Sequence, residues 1–193
     1  MEWKLFEGDI PYVSTEEFHA DRERAPHLEQ AVHRERLDIA LDCVRVAANW
    51  YGQPTLTDLG AGDGGFLSTV APYTGRAWGY DFCPANLAGA AERGVDVRHA
   101  DITGDGIELG TIAVLTEVLE HLADPHGMVR SLRQRGAKVL IASSPWVETD
   151  VSHDACHAWA WDVDGYRELI QGGGWDVVRH EWTGYFQIIL ARR

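Results

Sequence analysis

The chain has 193 residues, of which 45% are hydrophobic and 24% charged, and its formal net charge is −13. That length suits one domain around one sizeable core. An acidic surface of this size repels phosphate backbones, so an extended nucleic-acid footprint is not expected. No apolar run approaches the ~20 residues that span a bilayer, and Met1-Glu-Trp-Lys-Leu-Phe-Glu-Gly8 is too acidic and too mixed for a secretory signal. Cys43, Cys83 and Cys156 are odd in number and form no CxxC pair. Ordinary thiols in a reducing, cytoplasmic setting are the expectation.

Residues 1–53 read as an N-terminal helical extension. Pro11 and Pro26 interrupt it, and Ser14 or Thr15 is placed to cap a short helix. From His27 to about Trp50, apolar Leu28, Ala31, Leu37, Ala40, Leu41, Val44 and Ala47 recur at helical spacing. Arg22, Arg24, Arg34 and Arg36 alternate with glutamates, which predicts a solvated, ion-paired face. Residues 54–193 then alternate. Strands are predicted at Thr55–Leu59, Ala77–Tyr80, Val95–His99, Thr111–Leu115 and Lys138–Ala142. Helices are predicted at Gly65–Tyr73, Pro84–Arg93, Asp124–Gln134 and Asp164–Gln171. Repeated β-α units imply a doubly wound, mostly parallel sheet with helices on both faces. The end departs from this pattern. Trp175–Trp182 and Tyr185–Ala191 are joined only by Thr183-Gly184, too short for a crossover, so an antiparallel hairpin must close the sheet.

Between the first core strand and its helix lie Gly60, Gly62, Gly64 and Gly65, directly after Asp58-Leu59. A turn this rich in glycine lets a ligand lie against bare backbone at a helix N-terminus. The spacing also fits a dinucleotide fingerprint. Three features argue against a dehydrogenase. The terminal hairpin is wrong for one, Asp58 suits a cationic amino group rather than a pyrophosphate, and no second domain remains for a hydride acceptor.

Four segments carry a resemblance: Asp58-Leu-Gly-Ala-Gly-Asp-Gly64, Gly79-Tyr-Asp81, His99-Ala-Asp101-Ile102 and Val114-Leu-Thr-Glu-Val-Leu-Glu-His-Leu122. Together they resemble the class I S-adenosylmethionine (SAM) dependent methyltransferases, over roughly residues 54–193, and within them the Glu-Val-Leu-Glu-His group. The resemblance implies that Asp58, Gly60, Ala61, Gly62 and Gly64 hold the methionine part of SAM. It places Asp81 and Phe82 at the ribose, Asp101 and Ile102 at the adenine, and Glu117 on the cofactor pocket.

Glu117, Glu120 and His121 fall at i, i+3 and i+4, which puts them on one face if the segment is helical. They are the candidate catalytic residues, with His121 or Glu120 as general base. The same residues suit a metal. Resemblance to small-RNA 3′-terminal ribose 2′-O-methyltransferases, which carry Glu-x-x-Glu-His and a further histidine, implies an Mg²⁺ or Mn²⁺ site of Glu117, Glu120, His121 and either His157 or His153. Trp146, Trp159 and Trp161 are either an apolar acceptor wall or plain core. Ser144-Pro-Trp146 lacks the asparagine of the Asn-Pro-Pro-Tyr motif of amino-methylating enzymes, so O-methylation of a small-molecule acceptor is the expected chemistry. A metal-dependent RNA-end 2′-O-methyltransferase and a non-catalytic SAM-binding partner subunit are the alternatives. No Gly-x-Ser-x-Gly elbow supports a hydrolase.

Overall fold

The computed structural model describes residues 1–193. The N-terminal segment holds a short strand β1 (Glu2–Lys4), helix α1 (Glu16–Ala20) and the long helix α2 (Ala31–Tyr51). Then come β2 (Thr55–Leu59), α3 (Leu67–Val70), β3 (Arg76–Asp81), α4 (Pro84–Arg93), β4 (Val97–His99), β5 (Ile112–Thr116), α5 (Pro125–Gln134) and β6 (Val139–Pro145). The chain closes with β7 (Trp159–Trp161), α6 (Val163–Gly172), β8 (Asp176–Trp182) and β9 (Phe186–Arg192).

Seven strands form the main sheet in the order β4-β3-β2-β5-β6-β9-β8. Strands β2 to β6 run parallel, and β9 lies antiparallel between β6 and β8. The predicted hairpin is therefore present. After β2 the chain winds outward through β3 and β4, then returns to build β5 and β6 on the other side. This leaves a topological switch point between β2 and β5, where open α/β sheets bind ligands beyond the strand carboxyl ends.

Both faces are covered. Leu37, Ala40, Val44 and Ala47 of α2 pack with Phe66, Leu67 and Val70 on one side, over Leu56, Ile112 and Ile141. On the other, Met128, Val129 and Leu132 of α5 and Tyr166, Leu169 and Ile170 of α6 enclose Trp161 and Trp175. Each fully buried Val, Leu, Ile, Phe or Met among them contributes about 1.5–3 kcal/mol of transfer free energy. Helix starts are capped as their sequences suggest. Thr15 accepts from the Phe18 N–H, Asp124 from that of Gly127 and Asp162 from that of Gly165.

Three local readings change. The helix after the glycine turn shrinks to α3 plus one 3-10 turn at Ala71–Tyr73, because the turn itself extends to Phe66 and Pro72 cannot continue the hydrogen-bond ladder. His27–Glu29 is a separate 3-10 turn before α2. Residues 159–161, read as loop, pair with residues 2–4 in a two-stranded sheet, and the Trp161 indole donates to Glu2 Oε2 at 2.6 Å. A three-residue strand is too short to register as an alternation.

Candidate active site

A cavity of ≈ 590 Å³ opens at the switch point, walled by the ends of β2, β3 and β5 and roofed by residues from 13 to 37. Its size falls in the usual range for small-molecule sites. Gly60, Ala61 and Gly62 form one edge. The Gly60 and Ala61 N–H groups both donate to Tyr80 O at 2.9 Å, and the Gly62 N–H donates to Asp81 Oδ2 at 2.8 Å. The turn needs left-handed backbone at Gly60 (φ 76) and Gly62 (φ 56). A Cβ on Gly60 would meet Val118 Cγ2 at 2.6 Å. Gly64, expected at the cofactor, faces the other way. Its missing Cβ lies toward Val95 and Ala90, so it serves packing rather than the cavity.

Asp58, next to last in β2, stands at the cavity, 1% exposed, with Oδ1 lacking any partner. Burial pushes its pKa to about 7; Arg36 opposes the shift and Asp81 adds to it. A buried carboxyl without a donor fits a ligand that brings a cation. Asp81, at the end of β3, accepts from Gly62 N–H and Cys83 N–H, each at 2.8 Å. Phe82, Asp101 and Ile102 line the adjoining wall, and Asp101 Oδ1 receives the Thr103 N–H. The expected ribose and adenine contacts are thus gathered on one side of the switch point.

The Glu117–His121 stretch is not a continuous helix. Glu117 has φ 62, the one non-glycine residue with positive φ, and only Leu119–His121 form a 3-10 turn. The i, i+3, i+4 face therefore does not exist. Glu117 stands on the cavity with Oε1 accepting from Ser143 Oγ at 2.8 Å and Arg36 Nε 4.0 Å away. Arg36 corrects the charge-pattern reading, because it is fully buried rather than solvated. Glu120 lies behind the wall, wholly buried, with neither carboxyl oxygen partnered. Burial, and then the Glu117 charge, raise its pKa well above the ordinary carboxylate range.

What the fold does assemble is Glu120, His121 and His157, whose ligand atoms all lie within 4.8 Å of one another. Glu117 stands outside this group, and His153 is exposed, its Nδ1 at 2.9 Å from Asp154 O. His121 Nδ1 donates to Cys156 O at 2.7 Å, and burial lowers its pKa to about 4. His157 Nδ1 sits 2.6 Å from Glu148 Oε2. Burial would raise the Glu148 carboxyl, but hydrogen bonds from His157 and from the Tyr185 hydroxyl (2.9 Å) hold it below the usual carboxylate value. Both rings thus have Nδ1 committed and Nε2 free. Glu148, Tyr185 and Ser143 were not identified from the sequence. The nine-residue interval from Glu148 to His157 has no motif, and only the folded loop joins them.

Trp146, Trp159 and Trp161 do not line the cavity. Trp161 is core, Trp159 stacks on it, and the Trp146 indole donates to Thr183 O at 3.1 Å. The aromatic wall is Phe66, Phe82, Tyr185 and Phe186 instead. His19, His27 and His33 reach the cavity from the N-terminal segment, whereas Tyr12 and Phe18 do not. The three cysteines are free, and no helix is long and apolar enough to cross a membrane.

No family model and no curated protein sequence matches the chain. Solved structures do. The N-methyltransferase NodS from Bradyrhizobium japonicum, in complex with S-adenosyl-L-homocysteine (SAH), superposes with a TM-score of 0.66 at 17% identity, covering 92% of this chain and 96% of that one. Magnesium protoporphyrin IX methyltransferase (ChlM) from Synechocystis with bound SAM gives 0.67 at 17%, covering 83% and 79%. The fold is that of the class I methyltransferases. The [4+2]-cyclase SpnF shares it equally well, with a TM-score of 0.68 at 13% identity over 91% of this chain and 85% of that one. At such identities the likeness speaks for the fold, and the reaction has to be argued from the site.

Proposed function

We propose that this protein is a SAM-dependent methyltransferase that methylates a hydroxyl oxygen of a small acceptor by in-line transfer. The observation that carries the reading is the unpartnered, buried Asp58 carboxyl beside the glycine turn, on the same cavity as His157, which Glu148 holds from behind. SAM, when bound, supplies an electrophilic methyl group on a sulfonium. The chain's residues supply the rest. Asp58 takes the ligand's ammonium, and the bare backbone at 60–62 lets the amino-acid tail approach. Asp81 exchanges its Gly62 contact for ribose hydroxyls, and Asp101 with Ile102 borders the base. The N-terminal segment excludes water and holds the acceptor in line. His157 Nε2 takes the hydroxyl proton, and Glu148 fixes the ring's tautomer and stabilises the imidazolium. His121, expected as the base, is held neutral with its free nitrogen beside His157.

A second reading of the same cluster is supported by Glu120. Two free imidazole nitrogens and a buried, unpartnered carboxyl form a donor set for a divalent cation, and the Nδ1 of each ring already has the partner that orients it. Of the two ions expected, two imidazoles favour Mn²⁺ over Mg²⁺. A cation there would orient the acceptor oxygen and lower its pKa. The RNA-end alternative uses the same residues, but the −13 charge opposes it.

Calorimetry with SAH tests the cofactor assignment. Binding that is lost in Asp81→Ala supports it, and wild-type binding of NAD in place of SAH would end it. Methyl transfer from labelled SAM to hydroxylated metabolites separates an enzyme from a binding subunit. Mn²⁺ should raise the melting temperature of the wild type and not of His157→Gln. No shift in either would leave His157 as a base alone.

A further inference from the structure

One wall of the cavity has no role in the chemistry just described. His27 and His33 line it with their rings stacked, centroids 4.1 Å apart and planes 27° from parallel. His33 also packs on Phe186 at 5.1 Å. Behind both lies the buried Arg36, whose Nη2 is 3.3 Å from His33 Nδ1 and 3.5 Å from His27 Nδ1. A guanidinium only donates. Both Nδ1 atoms must therefore accept, and both neutral rings carry their proton on Nε2. Neither Nε2 has a partner within the protein. Donation into Nδ1 polarises each ring and strengthens its Nε2–H as a donor. Burial, with Arg36 adding to it, keeps the rings neutral, at about 3 for His27 and about 4 for His33.

We propose that His27 and His33 form a carboxylate-binding subsite, polarised from behind by Arg36. Two adjacent N–H donors on a cavity wall match the two oxygens of a carboxylate. Two nearby protein carboxylates, Asp63 and Glu117, are already held by other groups. Asp63 Oδ2 accepts from Arg24 at 2.9 Å and from Arg93 at 2.8 Å, and Glu117 is held by Ser143 and Arg36. The subsite is thus free for a ligand's carboxylate. That group is either the amino-acid carboxylate of a SAM-type cofactor whose ammonium meets Asp58, or a carboxylate on the acceptor. The first source rests on the proposed function, and the second does not.

Nitrogen-15 NMR of the full chain labelled at histidine reads the subsite directly, with His27→Phe and His33→Phe assigning the two Nε2 resonances. Phenylalanine preserves the stack on Phe186 and deletes the donor. SAH, 5′-methylthioadenosine (the same nucleoside and sulfur without the amino-acid tail) and benzoate are the probes. If the cofactor is the source, SAH shifts both resonances and methylthioadenosine shifts neither. Each Phe variant then weakens SAH by about tenfold or more, as loss of a hydrogen bond to a charged group does, and leaves methylthioadenosine within about twofold. If the acceptor is the source, SAH leaves the resonances in place and benzoate moves them in the SAH-saturated protein. If neither SAH nor benzoate moves them, the subsite does not exist. Methylthioadenosine separates the two failures. Its binding without any histidine response to SAH or benzoate overturns the subsite alone. If neither nucleoside binds, the cofactor reading falls, and benzoate decides the subsite by itself.

Discussion

Asp58→Asn should stabilise the ligand-free protein at pH 8 while weakening its hold on SAH. The carboxyl is 1% exposed, and its pKa rises from 3.8 to about 7, chiefly through burial. Between those values the folded chain holds a proton that the unfolded chain has released. Stability therefore falls as pH rises, by about 1.4 kcal/mol per unit, and levels off above pH 7. The full penalty at pH 8 is roughly 4 kcal/mol as a ceiling, from a shift of about three units. Going from pH 5 to 8 crosses about two of those units, so the stability difference between the Asp58→Asn variant and wild-type protein should widen by roughly 2–3 kcal/mol. Urea denaturation of both proteins at the two pH values measures this, and the difference cancels every other titrating group. Calorimetry gives the opposite sign. An incoming ammonium favours the ionised carboxyl, so SAH affinity should rise about tenfold per unit up to pH 7 in the wild type and stay flat in the variant. A stability difference that does not change with pH would refute the premise that Asp58 is a desolvated acid awaiting a cation.

Gly60→Ala and Gly62→Val should differ in kind. At Gly60 the new Cβ meets Val118 Cγ2 at 2.6 Å as well as a φ of 76, so the fold itself loses stability. At Gly62 nothing lies within 4 Å of an added Cβ, so the cost is limited to the left-handed backbone, about 1–2 kcal/mol. SAH affinity should nonetheless collapse, because the side chain occupies the approach to the turn. Equal SAH affinity for Gly62→Val and wild type would place the ligand elsewhere. Arg36→Met should destabilise the protein by roughly 3–5 kcal/mol, since it leaves Glu117 without its buried counter-charge. A loss under about 1 kcal/mol in a thermal melt would mean that Glu117 simply takes up a proton.

The frame of the fold was legible because two periodicities and one short joint carried it. Strands of alternating β-α units end at Leu59, Asp81 and Thr116, and Thr183-Gly184 forced the terminal hairpin. Much of the cavity lining was legible, from Asp58, Gly60 and Gly62 to Asp81, Asp101 and Glu117, because a glycine turn and acidic strand ends leave marks in sequence. Arg36 was misread because it follows Glu35 in a segment where arginines alternate with glutamates, a pattern typical of a solvated face. Nothing in the sequence shows that α2 turns this position onto Ser143, 107 residues away. Glu117 to His121 were misread for a related reason. A helix-like string was assigned helical spacing, but after β5 the chain must turn sharply to keep Glu117 on the cavity, and it does so with a positive φ. Glu148 was missed because its partner His157 is reached only across a loop whose ends are brought together by the tertiary fold.

Under the proposed methyl transfer, the His157–Glu148 pair bears on which atom accepts the methyl group. A backbone of this kind also serves a [4+2]-cyclase, so the strands and helices do not choose the reaction. Side chains do. A neutral amine attacks a methyl cation equivalent without prior deprotonation and loses its proton afterwards, so a buried base adds little. A hydroxyl is a poor nucleophile until its proton leaves, and a carboxylate-backed imidazole is the group that removes it. The Glu148 side chain is 3% exposed and bonded to both His157 and Tyr185, and keeping a carboxylate so desolvated for structure alone would cost stability. Glu148→Gln retains the shape and removes the charge. With a hydroxyl acceptor its kcat should fall roughly 10²–10⁴-fold, the usual worth of a positioned base, with SAH affinity unchanged. If kcat instead stayed within about threefold of wild type, the base would be idle and the acceptor would be an amine.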